Sequence, residues 1–212
     1  MTGLADIAIS TRVVTMTVPV AVYFLILGLL HTRRRPQMLT GRLDFTLLIA
    51  SLSPLVFLPA MSYLGGSPLA AVGLAVCLAG AILLLSPGGR SWVVYNISPR
   101  AARDAVAAAL RTMGVDFARS GQDFLTDAGR IVVTVDGFPL LRNATIRLTG
   151  GRRPFARSFE AALARRLEVL EGPASPMAVS MLLVAVIMLA VPLAMMAPDV
   201  PQIVRLLTDL LH

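Results

Sequence analysis

The sequence has no lysine, one cysteine, one tryptophan and two histidines, and charged residues fill only 15% of its 212 positions. Each shortage closes a route. Without lysine there is neither a Schiff-base amine nor a lysine general base. Cys77 stands alone, so no disulfide can form within the chain, and His31 and His212 are too far apart in sequence to suggest a Cys/His zinc site. A water-soluble domain carries roughly 25% charge, and the deficit here points to lipid. What the chain does hold is 56% hydrophobic residues and a net charge of +7, with every basic side chain an arginine.

A hydrocarbon layer about 30 Å thick takes roughly 20 helical residues to cross. Uncharged runs of that order occupy 13–30 and 177–196, and a longer one fills 45–86. A single helix over 45–86 would reach about 63 Å, so it must fold back. "YLGGSP" at 63–68 supplies the break, which gives spans 45–63 and 68–85. Only Arg12 precedes the first run, while three arginines and a proline follow it, a pattern expected of an uncleaved anchor rather than a signal peptide. The predicted organisation is a membrane region over 1–89, an α+β domain over 90–174, a fourth span within 175–197 and an interfacial helix over 198–212.

With both termini outside, seventeen of the nineteen arginines fall in 31–44 and 87–176, the two segments then facing the cytoplasm. The positive-inside rule requires that agreement. The expected location is therefore a bacterial inner membrane, crossed four times. Arg33, Arg34, Arg35 and Arg42 are expected to anchor the first hairpin against anionic headgroups, each worth about 1 kcal/mol near the surface. Thr40 or Asp44 is expected to cap the second span.

From "RSWVVYNISPR" onward the texture becomes that of a small two-layer α+β fold. "WVVYNI" reads as a strand, and Ser98 with Pro99 as an N-cap and first helical residue. The following helix carries Ala102, Val106, Leu110 and Met113 on one face. Four short strands come next: "VDFAR", "DFLT", "RIVVTVD" and "NATIRLT". Ile131, Val133 and Val135 alternate cleanly, as do Ala144, Ile146 and Leu148. A last helix bears the stripe Phe155, Phe159, Leu163, Leu167 and Leu170. The order β-α-β-β-β-β-α predicts a four- or five-stranded antiparallel sheet with both helices on one face. After the fourth span, Ile203, Leu206, Leu207, Leu210 and Leu211 form one side of an amphipathic helix, with Arg205 and Asp209 opposite.

Chemistry is sparse. No span holds Asp, Glu, Lys, Arg or His, which disfavours a proton-coupled carrier or a haem site. Ser51, Ser53 and Pro54 could mark a broken helix lining a site, but serine more often satisfies a carbonyl freed by proline. Gly73, Cys77 and Ala81 form a small-residue ridge suited to helix packing, within the chain or between copies. Asp116, Asp123, Asp127 and Asp136 fall at turns and strand ends, where aspartate is expected. No phosphate loop, nucleophile elbow or dinucleotide fingerprint is present. "TGGRRPFARSF" places Arg152, Arg153 and Arg157 at a helix start, where phosphate or a lipid headgroup could bind. Without an aromatic ladder, nucleic acid is a poor match.

The expectation is a non-catalytic scaffold or accessory subunit of a membrane complex, acting through its α+β domain. No catalytic residue, cofactor or metal is assigned. The expected partners are the bilayer and other membrane proteins or a second copy of the chain, with anionic phospholipid as a further ligand. The alternatives are a sensor or anionic-lipid-binding module, and a small transporter or channel component.

Overall fold

The computed structural model describes residues 2–88, 90–127, 129–172, 175–197, 200–201, 204 and 208, with residues 2–10 as backbone only. Four long apolar helices are α1 (Thr2–Thr32), α2 (Gly41–Tyr63), α3 (Pro68–Leu85) and α6 (Pro176–Met196). Each is long and apolar enough to cross a membrane, α1 by its segment Thr11–Thr32. The expected break between the second and third spans is present: Gly65 and Gly66 take φ of 71° and 68°, and Ser67 caps α3 with Pro68 as its first residue. Those left-handed conformations are open to glycine at little steric cost.

The α+β part contains β1 (Gln37–Thr40), β2 (Ser91–Tyr95), β3 (Phe117–Ser120), β4 (Asp123–Thr126), β5 (Ile131–Phe138) and β6 (Asn143–Thr149), with α4 (Pro99–Thr112) and α5 (Arg153–Val169). They form one antiparallel sheet in the order β1-β2-β6-β5-β4-β3. Six strands replace the expected four or five. The extra one is "QMLT" from the loop read as an anchor, with Leu39 opposite Val93 and Thr40 opposite Trp92. Thr40 then caps α2, its hydroxyl accepting from the Leu43 N–H at 3.4 Å. A strand of the sheet thus passes without a linker into one of the long apolar helices.

Burial follows the predicted alternation. Ile131, Val133 and Val135 face the core with Ala144, Ile146 and Leu148. Ala102, Val106 and Leu110 of α4 and Phe159, Leu163 and Leu167 of α5 close over them. Ser98 caps α4, accepting from Ala101 N–H at 3.2 Å. The other face of β2, with β1, meets the start of α2.

Among the spans, α1 packs along α6. Ala21 of α1 and Ala178 and Ala185 of α6 are buried. Gly28 lets the pair approach: a Cβ there would stand 2.8 Å from two side-chain carbons of Leu182 and 3.3 Å from its backbone nitrogen. Small residues serve this purpose where lipid removes the hydrophobic drive for helix association. Gly28→Val should therefore cost about 1–3 kcal/mol by overpacking. Thermal unfolding in a mild detergent would show it as a lowered midpoint, and an unchanged midpoint would mean the helices part freely.

Candidate functional site: the joint between sheet and apolar helices

Polar groups of five separate segments converge where the sheet meets the ends of α1, α2 and α6. His31, the last basic residue of α1, is 1% exposed. Its Nδ1 lies 2.8 Å from the Leu27 carbonyl oxygen and its Nε2 2.7 Å from that of Leu141, in the β5–β6 connection. Both partners are acceptors, so a ring with one N–H satisfies one of them at a time. The ring also stands edge-on to Tyr95, 5.4 Å between centroids.

Tyr95 closes β2 and is buried. Its hydroxyl donates to Oδ1 of Asp44, in the first turn of α2. Burial pushes the Tyr95 phenol well above its ordinary range, and the bond to Asp44 adds to that shift. The phenol accordingly holds its proton and acts as a fixed donor. Next to it Asn96, at φ 57°, turns the chain out of the strand and donates from Nδ2 to the Arg33 carbonyl at 2.6 Å. Asparagine tolerates this left-handed conformation better than most residues.

The backbone completes the joint. Gly172 N–H donates to the Arg34 carbonyl at 2.9 Å, and Ser175 N–H to that of His31 at 3.3 Å. Gly41 lies so close to Ser91 that a Cβ would collide with its hydroxyl. The domain is therefore held at β1–α2, at α1 and at the entry to α6. Polar pairing is costly to break in such a dry setting, because a buried partner left alone loses both water and its bond.

The expected anchor arginines occupy this level of the structure. Arg33, Arg34, Arg35 and Arg42 are exposed, and among the described residues only Arg33 of these four makes a side-chain bond, to Gln37 at 3.4 Å. Arg152, Arg153 and Arg157 are also exposed, around the start of α5, whose N-cap Arg152 makes no side-chain cap bond. Among the described residues the sole ion pair is Arg130 with Asp127, at 2.7 Å.

Gly73, Cys77 and Ala81 make no tight contact inside the chain: a Cβ on Gly73 would meet nothing within 4 Å, and Cys77 is exposed. Cys77 and Ala81 line an apolar cleft against Leu52, Ser53, Val56 and Phe57 of α2. Ser53 has the expected backbone role, donating at 2.8 Å to the Ala50 carbonyl that Pro54 leaves without its helical N–H. Ser51 also donates to a backbone carbonyl of its own helix, that of Leu48 at 2.7 Å, which no proline frees. Asp116, Asp123, Asp127 and Asp136 do not gather: among the described residues no three of His, Cys, Asp and Glu could share a metal ion. The expected interfacial stripe of Ile203, Leu206, Leu207, Leu210 and Leu211, with Arg205, Asp209 and His212, lies outside the described residues.

The sequence reading missed the joint itself. Of the two cap candidates it is Thr40 that caps α2, while Asp44 accepts from Tyr95; His31, Tyr95 and Asn96 gave no local signal, because the pairing that joins them spans 51 residues between Tyr95 and Asp44 and 110 between His31 and Leu141. Comparison of the chain with protein-family models, with curated proteins and with solved structures finds no match.

Proposed function

We propose that the protein is a non-catalytic adaptor of a bacterial inner-membrane complex, presenting its α+β domain to partner subunits at a fixed height above the bilayer. The observation that carries this reading is the joint. A catalytic or transport domain that must move relative to its spans needs a hinge, whereas here a strand runs straight into α2, buried polar bonds tie the end of α1 to the sheet, and the entry to α6 is bonded to that same end of α1. A second feature supports it: none of the residues of α3 is buried, so one whole span is open to neighbouring helices. Segments 31–44 and 87–176 face the cytoplasm in this reading, in accord with the arginine distribution.

The test is the mass of the particle extracted in mild detergent, read together with oxidative cross-linking through the single cysteine, Cys77. A complex well above the 22.5 kDa chain is expected, with a disulfide-linked or reagent-linked adduct that vanishes in Cys77→Ala if α3 forms the contact. A monomeric particle would overturn the proposal. Cysteines introduced at Arg119 and labelled from the outside of intact cells would reverse the orientation.

A further inference from the structure

We infer that the cleft where α3 enters the sheet is a binding site for the headgroup of an anionic glycerophospholipid. The cleft, of about 680 Å³, is lined by Leu85 and Pro87 at the end of α3, by Arg90 and Ser91, and by Arg147 and Thr149 of β6. The register places Ser91 opposite Arg147, so both side chains leave the same face of the sheet. No acidic residue is among those described that line it.

Two guanidinium groups give the cleft its sign. Nη1 of Arg90 donates to the carbonyls of Gly150 at 2.5 Å and Gly151 at 2.8 Å, which fixes the group across a 60-residue separation. Its other N–H groups have no partner among the described residues. Arg147 is exposed and makes neither an ion pair nor a hydrogen bond there. Planar guanidinium donors of this kind match phosphate oxygens.

The chemistry of the ligand follows from what lies on either side. Below the cleft runs α3, 18 residues of apolar helix with Leu84 and Leu85 exposed at 86% and 68%. Above it are arginine, serine and threonine. A ligand that fits both has acyl chains along α3 and an anionic head among the arginines. The cleft thus selects a phospholipid over a small phosphate, which would gain from the upper half alone. The competing account is that the arginines only offset the negative end of the α3 dipole. This inference stands independently of the adaptor reading.

The test follows thermal unfolding of the full chain in detergent through Trp92, the one tryptophan, which adjoins Ser91. Phosphatidylglycerol, phosphatidylcholine and inorganic phosphate are titrated separately. Phosphatidylglycerol alone is expected to raise the midpoint. Arg147→Gln should weaken that response about fivefold, the effect of losing one arginine contact of about 1 kcal/mol. Arg100→Gln makes the same charge change at an exposed position on α4 and should leave the response intact. An equal response to inorganic phosphate would overturn the lipid assignment. Equal weakening by both variants would reduce the effect to bulk charge, and an unchanged response in Arg147→Gln would leave the dipole account standing.

Discussion

Phe159→Ala is expected to unfold the α+β domain while the apolar helices remain in the membrane. Phe159 is completely buried on α5, its ring centroid 5.7 Å from that of Trp92 in β2. It therefore couples the helix layer to the strand that also carries the joint. Truncating a buried phenylalanine to alanine costs about 3–5 kcal/mol, against about 5–15 kcal/mol for a whole small domain. The vacated space lies against the sole tryptophan, so emission should shift to the red as well as lose its sharp denaturant transition. Urea titration of Trp92 fluorescence in detergent is the measurement. A midpoint equal to that of the unaltered chain would show that α5 does not close the core. The same variant bears on the adaptor reading, since a complex that survives its unfolding would be held by the spans alone.

The parts of this fold that could be read from the sequence are those whose signal is local. The stripes on α4 and α5 repeat at helical spacing, and the alternation in β5 marks its buried face, so burial of Val106, Leu163 and Val133 matches the reading. "GGSP" states its own turn. β1 was invisible for the opposite reason. Its four residues carry no alternation of use, since Met38 and Leu39 adjoin, and what makes them a strand is the edge of β2, more than 50 residues away. The joint was hidden in the same way. A histidine at a helix end, an aspartate in a first turn and a tyrosine closing a strand each have an ordinary local explanation, and only the fold brings Tyr95 onto Asp44 and His31. Small residues illustrate a subtler limit. Spacing marked the ridge Gly73, Cys77 and Ala81, yet the close approach between two of the long apolar helices is at Gly28, a single glycine whose partner Leu182 gives no pattern to find.

Tyr95→Phe tests whether that joint holds the domain in place. The substitution keeps the ring against His31 and deletes only the hydroxyl that donates to Asp44. A hydrogen bond to a charged group contributes about 1.5–3 kcal/mol, and the expected loss is of that order. Asp44→Asn retains an acceptor and should cost less than Asp44→Leu. If the two residues act as a pair, the losses in Tyr95→Phe and Asp44→Leu will not add when combined, which a double-mutant cycle reads directly. The pH dependence adds a second readout whose sign is fixed. The Tyr95 phenol is raised in the folded chain by burial first and by Asp44 second, so folding favours the protonated form. Its contribution is complete below the ordinary tyrosine value of about 10 and falls as pH rises beyond it. Urea midpoints measured from about pH 8 to about pH 11 should decline at the alkaline end less steeply in Tyr95→Phe than in the unaltered chain. Parallel curves would mean that the phenol is solvated in solution and that the sheet swings free of α2. Protease cleavage between α5 and α6 provides the mechanical counterpart, because Gly172 and Ser175 donate to carbonyls of Arg34 and His31 at the end of α1, beside the joint. Faster cutting there in Tyr95→Phe, with the core transition of Trp92 preserved, would separate release of the domain from its unfolding.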